Sequence, residues 1–530
     1  MAESLLRNPP DRSSTQSLEK SATAKYSVSP DTLRKAIGQL KKDIAADRII
    51  RDVGECTNKS STAWSPAPEE TDCPSFIVYP ISTLEVSKIA KVCHELGIPM
   101  LPYSGGTSLE GSLAMTTKGG CCIDFKLMDR VIGVNKKDMD VVVQPGVDYM
   151  ELNQTLAEQN LFFPPDPGPG AKIGGMIAQG CSGTNAYRYG PMKEWVLGLT
   201  VVLADGTIIK TRHRPRKSSA GYDLTQLIVG SEGTLGIVTE ASLKLTSKPQ
   251  NVRVAVVAFP SIPNAVDSAI KVVQEDLPVA ALELLDDFTM KAVNEAGYCE
   301  KQYAETATLF LKFSGYSDRM VQEIIGKVMD IAKANNCSSF EISKTEREAS
   351  DLWQARKTAL WSVLALRRKP EDKFLSSDAA VPISRLGDLI EATQADIKES
   401  GVLGSCIGHV GDGNFHAGIL YDPQDEKIAR TIIQNVQRRA VKMKGTVSGE
   451  HGIGLENRDA LTEELGQQSI DTMRKVKAAL DPKNLLNPDK IFHQKWVAKD
   501  SWIPFSSSAS SKGYQDQDIV QDIKSTLGWS

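Results

Sequence analysis

The sequence predicts a mixed helix-and-sheet protein, α+β or α/β in class, built as two domains with a tail at each end. Three observations predict it. From Ser75 onward, short β-rich runs broken by Gly and Pro alternate with a helix-like run. Half of the 40 glycines fall between Gly105 and Gly236, which concentrates backbone freedom in one region. From Pro249 the texture changes to strands alternating with longer helical runs. Composition agrees, since 41% hydrophobic and 24% charged residues over 530 positions are ordinary globular values with a large core. The 62 basic and 66 acidic residues give a net charge of −4, which argues against a nucleic-acid partner. No apolar run approaches the roughly 18 residues that span a bilayer. The nine cysteines contain no CxxC pair and read as reduced thiols rather than a disulfide framework.

The elements follow in order. Residues 1–29 are rich in Ser and Thr, and they carry Arg7 and Arg12 but also Glu3, Asp11 and Glu19. A mitochondrial presequence is Arg-rich and acid-poor, so this stretch half qualifies. Ser29-Pro30-Asp31 reads as an N-cap, a first-turn proline and a first-turn acid, opening a helix to about Lys42. A strand over Phe76–Pro80, a helix over Leu84–Leu96 and a strand over Ile98–Pro102 come next. Ala204-Asp205-Gly206 between two β-rich runs predicts a hairpin. Val252–Phe259 reads as a strand, and Val266–Gln274 and Met320–Asn335 as helices. Ser506–Ser511 reads as a flexible linker and Asp516–Trp529 as a short amphipathic helix.

Four glycine-rich segments carry chemistry. Pro102-Tyr103-Ser104-Gly105-Gly106-Thr107-Ser108 follows an apolar strand. Its glycines let backbone N–H groups approach an anion, and its hydroxyls add donors, so a phosphate or pyrophosphate is the natural guest. It is neither a Walker A loop nor a GxGxxG turn, which weakens the case for nicotinamide on a Rossmann domain. Pro164–Pro169, Ile173–Gly190 and Val229–Ile237 follow. Four such loops exceed what turns need, and a long ligand threaded past several of them accounts for the set better than tight strand crossings do.

Only six histidines exist, and three fall in two Gly-rich pieces, Gly408-His409-Val410-Gly411-Asp412-Gly413-Asn414-Phe415-His416 and Ser448-Gly449-Glu450-His451-Gly452. Asp412-Gly413 is a turn, so His409 and His416 can face each other from neighbouring strands. Two imidazoles and a carboxylate suit zinc or another first-row divalent ion, with a fourth position open for catalysis.

In order along the chain, SGGTSLEG, PPDPGP, IGGMIAQGCSGTNAYRYG and GYDLTQLIVGSEGTLGIVTE resemble the FAD-linked oxidases of the vanillyl-alcohol oxidase superfamily. The likeness runs from about Phe76 to His493 and within that group is greatest to the cytochrome-reducing D-lactate dehydrogenases. The resemblance implies an α+β fold: a PCMH-type FAD-binding domain of two subdomains over 30–249, a cap over 250–455 with an antiparallel sheet flanked by helices, and a segment over 456–495 returning to the flavin, between a tail at 1–29 and a Ser-rich tail at 496–530. It places Ser104, Gly105, Gly106, Thr107 and Ser108 on the pyrophosphate. It puts Pro165, Asp166, Gly175, Ser182, Asn185, Tyr189, Gly236, Ile237 and Asn487 along the flavin. No histidine lies between His94 and His213, so FAD is expected to be held non-covalently, with Cys181 read as packing.

In the metal-dependent 2-hydroxyacid branch, the GHxGDGNxH and GEHG motifs imply His409, His416 and Glu450 as ligands of zinc, or of manganese as the alternative, and His451 as the base. Arg356 falls where the resemblance puts the carboxylate-binding arginine, whose guanidinium offers a bidentate fork. Relatives that oxidise 2-hydroxyglutarate carry a Lys before the Asp of the segment matching Ser376-Ser377-Asp378, where this chain has Ser, which favours a monocarboxylic substrate. Neighbouring Glu450 and His451 reach one site only if the backbone there is irregular, which Gly449 and Gly452 permit.

The expectation is oxidation of D-lactate or a close D-2-hydroxyacid to the 2-oxoacid, with the proton to His451, the hydride to flavin N5 and electrons passed on to cytochrome c. The resemblance also implies a mitochondrial protein, with the cytoplasm as the alternative, and leaves a homodimer open. The competing readings are a D-2-hydroxyglutarate dehydrogenase, a transferase like the alkyl-glycerone-phosphate synthases, and a metal-stapled binding protein of the same fold.

Overall fold

Ser29 begins the folded region as its residue type predicts: the side chain accepts from the Thr32 N–H and Pro30 opens the helix Pro30–Leu40, two residues shorter than expected. The computed structural model describes residues 25–62, 65 and 71–493. Most of the expected amino-terminal tail, the Ser506–Ser511 linker and the helix over Asp516–Trp529 lie outside the described residues.

The first sheet holds β1 (Ile49–Ile50), β2 (Phe76–Val78), β3 (Met100–Tyr103) and β4 (Cys121–Asp124) in the order β1-β2-β4-β3. β2, β4 and β3 run parallel and β1 antiparallel. Parallel strands need a long crossover connection, usually a helix. The helix Thr83–Leu96 carries the chain from β2 to β3, on the far side of β4; it is capped by Ser82, closed by left-handed Gly97, and buries Val86, Ile89, Ala90 and Cys93.

The second sheet is antiparallel and contains β5 (Val131–Asn135), β6 (Asp140–Val143), β8 (Val196–Val202), β9 (Ile208–Lys210) and β10 (Ile237–Lys244), ordered β5-β6-β10-β8-β9. The Asp205-Gly206 hairpin forms as expected, with Val202 opposite Ile208. Two short strands, β7 (Leu161–Phe162) and β11 (Thr246–Ser247), pair beside it.

The third sheet is antiparallel throughout. It contains β12 (Arg253–Ala258), β13 (Ala281–Leu285), β14 (Thr308–Phe313), β15 (Ser339–Ile342), β16 (Lys373–Ser376), β17 (Ala379–Ala380), β18 (Leu403–His409) and β19 (Asn414–Tyr421). The order is β15-β12-β14-β13-β18-β19-β16, with β17 also on β19. Strand alternation sends Leu309, Leu311 and Phe313 to one face, where they pack with residues of the helices Ile262–Gln274, Asp318–Ala334, Leu386–Ser400 and Glu426–Lys442. Val254, Val256, Ala281 and Phe310 take the other face, under the helices Asp287–Ala296 and Glu346–Ala365. The molecule is thus α+β, with an antiparallel sheet flanked by helices.

After the helix Gln467–Leu480 the chain returns to the first sheet. The Met100 N–H donates to the Leu485 carbonyl and the Asn487 N–H to the Met100 carbonyl, at 2.7 and 2.8 Å. Lys477 fixes the return: its buried Nζ donates to the Thr234 carbonyl, to Asp481 Oδ2 and to the Leu486 carbonyl, at 2.7, 2.6 and 2.8 Å. A buried carboxylate that loses its cation is left uncompensated. Lys477→Met is therefore expected to lower stability by about 3 kcal/mol or more. Chemical denaturation checks this, and a loss below about 1 kcal/mol would remove Lys477 from this role.

Candidate active site

A cavity of about 1070 Å³ is lined both by the glycine-rich loops and by residues of the third sheet. At the loop end stand Ser104, Gly105, Gly106, Thr107 and Ser108. A Cβ on Gly105 would lie 2.7 Å from the Gly170 carbonyl oxygen, so only glycine lets the two loops approach this closely. The Ser108 Oγ is buried without a hydrogen-bond partner among the described residues. A bare donor beside a glycine loop is what an anionic group requires. Asp166, Gly175, Asn185, Tyr189, Gly236 and Asn487 also line the cavity. Asp166 accepts from Thr184 Oγ1 and the Asn185 N–H, and burial pushes its carboxyl up to about 6.

Three expected flavin-lining residues stand off the cavity wall. Pro165 is buried. Ile237 starts β10 and packs fully buried in the core shared with the first sheet. The Ser182 hydroxyl is drawn to a carboxylate instead and donates to Glu450 Oε2 at 2.6 Å.

His409 ends β18 and His416 lies two residues into β19, past a turn in which Gly413 has φ of 73°. The two rings stand perpendicular with centroids 5.3 Å apart. Both Nε2 atoms lie 3.2 Å from Glu450 Oε1. The outer nitrogens are engaged: His409 Nδ1 pairs with Glu283 Oε1 at 2.9 Å, and His416 Nδ1 with the Ser377 carbonyl at 3.3 Å. Protons on both Nδ1 atoms leave two Nε2 lone pairs facing one carboxylate oxygen, an arrangement that needs positive charge between them. A divalent cation supplies it, and so does a proton. Burial opposes charge on the His409 imidazole, but Glu283 and Glu450 hold its pKa well above the usual histidine value. Burial likewise opposes charge on Glu450, and the two imidazoles hold it well below the usual carboxylate range.

Glu450 and His451 reach the same place because residues 449–451 bend instead of extending. Asp378 enforces the bend. Its Oδ2 accepts from Ser448 Oγ and from the N–H groups of Glu450 and His451, each at 2.7 Å, and its Oδ1 accepts from Asn414 Nδ2 at 2.9 Å. Asp378 also lies near His416 and His451 in a second ligand-like group, but its oxygens are already committed to these donors. His451 stacks on His416 with centroids 4.8 Å apart, and its Nδ1 lies 3.3 Å from Glu110 Oε1. Burial would lower the His451 pKa; Asp378, Glu110 and Glu450 outweigh it and raise it to about 9.

Arg356 lines the cavity from the helix Glu346–Ala365. Its Nε and Nη2 both meet Glu283 Oε2, at 3.0 and 2.9 Å, which leaves Nη1 as the free part of the fork. Glu283 was not anticipated, nor was Glu110. The signal for Glu283 is a lone charge in the apolar run Ala281–Leu285, and it is only 1% exposed. Glu110 sits inside the SLEG segment.

The chain matches the FAD binding domain family over residues 74–212. It matches the family described as FAD linked oxidases, C-terminal domain, over residues 248–491. It is 49% identical over 472 residues to the D-lactate dehydrogenase (cytochrome), mitochondrial, of Kluyveromyces lactis, covering 87% of this chain and 82% of that one. It is 45% identical over 466 residues to the probable D-lactate dehydrogenase, mitochondrial, of Danio rerio, covering 85% and 93%. The solved structure of 4-ethylphenol oxidase from Gulosibacter chungangensis superimposes with a TM-score of 0.71, over 89% of this chain and 99% of that one, at 18% identity, a likeness of fold.

Asp378→Ala removes the acceptor that folds residues 448–451. Hydrogen bonds to a charged group contribute about 1.5–3 kcal/mol, so amide exchange at Glu450 and His451 is expected to accelerate about tenfold or more. Hydrogen–deuterium exchange on that peptide measures it, and unchanged protection would free the bend from Asp378.

Proposed function

The chain belongs to the family of FAD-linked oxidases, and on that premise we propose that it oxidises D-lactate, or a close D-2-hydroxyacid, to the 2-oxoacid. The observation that carries the reading is one cavity whose wall holds both the Ser104–Ser108 cradle and the group His409, His416, Glu450, His451 and Arg356. The names of the two relatives support D-lactate as the substrate.

Ser104 to Ser108, with the bare Ser108 hydroxyl, fit the pyrophosphate of FAD. The flavin, when bound, supplies a two-electron acceptor for the carbinol C–H. His409, His416 and Glu450 fit a divalent cation, zinc first and manganese second, by donor type and convergence. Such an ion, when bound, supplies positive charge that lowers the pKa of a nearby hydroxyl. The free Nη1 of Arg356 donates to the substrate carboxylate. Glu110 holds His451 through Nδ1, so Nε2 is the atom left to accept the hydroxyl proton. A cation against Glu450 cancels one of the carboxylates that raise His451, which moves the imidazole back towards the neutral form a base needs. Ser376 lines the cavity in the segment where relatives that oxidise 2-hydroxyglutarate carry a lysine before the Asp, and this chain has only Ser there, which favours one carboxylate over two.

A cytochrome as electron acceptor is supported by the Kluyveromyces lactis relative's name, cytochrome c being our reading of which one, and a mitochondrial location by both names.

Anaerobic mixing with D-lactate is expected to bleach the visible flavin band. Prior dialysis against a strong chelator should abolish the bleaching while FAD stays bound, and added zinc or manganese should restore it. Normal bleaching in protein shown by elemental analysis to hold no metal would end the metal assignment.

His451→Asn keeps a polar side chain of similar bulk that accepts no proton at neutral pH. The rate of flavin reduction by D-lactate is expected to fall by about 10²–10⁴ with FAD and metal content unchanged. Reduction at the wild-type rate would pass proton abstraction to another group. Loss of metal in this variant, with retention in Glu450→Gln, would mean that the two neighbours exchange roles.

A further inference from the structure

Lys312 is a charge that neither the fold nor the site described above uses. It lies near the end of β14, in the otherwise apolar run Leu309–Phe313, opposite Val254 and Ala281 on the flanking strands. Its neighbours Leu311 and Phe313 point into the larger helical core. Strand alternation therefore turns Lys312 to the other face, which carries Glu283 on the adjacent β13. Over that face runs the helix Glu346–Ala365, and Lys312 Nζ sits 4.1 Å from the centroid of the Trp353 ring. Trp353 precedes Arg356 by three residues and so shares its side of the helix. Lys312, Trp353 and Arg356 together line the cavity.

The bonding state of this ammonium sets it apart. Lys477 and Lys490, also buried, each reach protein oxygens. Lys312 Nζ meets an aromatic face and makes no hydrogen bond to any described residue. A cation–π contact alone does not satisfy three ammonium donors. Burial, together with the nearby Lys357 and Arg356 charges, pushes the pKa of Lys312 down, while Asp166 and Glu283 act to keep it charged. An unsatisfied cation held on the wall of a ligand cavity calls for an anionic ligand.

Its neighbours indicate which anion. Glu283 touches both ends of the reaction site, with Oε1 on His409 and Oε2 on Arg356. The carboxyl carbon of a 2-hydroxyacid is directly bonded to the carbinol carbon. A cation that holds the carboxylate must therefore stand a few ångströms from the imidazoles, and Arg356 is tied to His409 through the two oxygens of Glu283. The Arg356 fork is half occupied by Glu283 and has one free nitrogen to offer.

We propose that Lys312 is a second carboxylate-binding residue, its ammonium taking one oxygen of the substrate carboxylate while Arg356 Nη1 takes the other. This rests on the reading of the chain as a 2-hydroxyacid oxidoreductase. No bond is made or broken at Lys312.

The test compares the holoenzyme with Lys312→Met, which keeps the apolar stem over Trp353 and removes the charge, and with Lys312→Arg, which restores a charge in another shape. For Lys312→Met, KM for D-lactate is expected to rise about tenfold or more, with a smaller change in kcat. Pyruvate titrated against the oxidised flavin band should bind more weakly by a similar factor. FAD content and the flavin reduction potential should stay as in the wild type, and Lys312→Arg should recover part of the lost affinity. Unchanged KM and unchanged pyruvate affinity overturn the proposal. A shifted flavin potential or lost FAD with normal KM assigns Lys312 to the flavin and also overturns it. A defect seen only with a dicarboxylic 2-hydroxyacid does the same, since Lys312 would then hold a distal carboxylate. If Lys312→Met fails to fold, the same readings on Lys312→Gln decide. If D-lactate does not reduce the wild-type flavin, the functional reading falls, while the pyruvate titration still decides Lys312.

Discussion

Glu283 is a carboxylate with almost no access to water, and its compensation organises the whole reaction corner. A buried carboxylate is tolerable only when its oxygens are matched by donors. One oxygen is matched by His409 from the neighbouring strand and the other by Arg356 from the covering helix. The first contact sets which nitrogen of His409 faces Glu450. The second sets how the helix Glu346–Ala365 sits over the sheet. Arg356 and His409 therefore share a single anchor, and neither can shift without stripping a partner from a charge in low dielectric.

A second layer of buried carboxylates joins the two halves of the site. Residues 448–454 are held from the third sheet by Asp378 and from the glycine-rich domain by Glu232, which accepts from the N–H groups of Ile453 and Gly454 at 2.7 and 2.8 Å. Glu232 itself has φ of 52°, a left-handed conformation uncommon for a residue with a Cβ. Glu110, two residues past the Ser104–Ser108 cradle, reaches His451. The segment that holds the imidazole is thus stitched between domains, and the geometry belongs to their union.

What could be read in the sequence was local. Ser29 and the Asp205-Gly206 turn mark element ends through contacts a few residues long. His409 and His416 are brought together by one short turn, so their spacing was informative. The pairing of β13 with β18 joins residues more than a hundred positions apart, and no local pattern announces it. Glu283 and Lys312 went unread for that reason: a lone charge marks each apolar strand, but it looks the same whether it faces solvent or a buried partner. Ser182 shows the converse. Its motif marked it for the flavin wall, and a carboxylate from the other domain captured its hydroxyl. Arg356 was placed by its motif, but the occupation of half its fork depends on a strand the motif does not contain.

The return of residues 485–487 to Met100 has a consequence for biogenesis. The edge of β3 stays unpaired until the segment around Leu486 arrives, and that segment is made only after the entire third sheet. Domains that precede others in a chain can fold while translation continues. Here the amino-terminal domain can collapse early, yet its β3 edge and the cavity wall contributed by Asn487 are complete only once residues 485–487 have been made. A translation product that stops before this segment lacks part of the pocket.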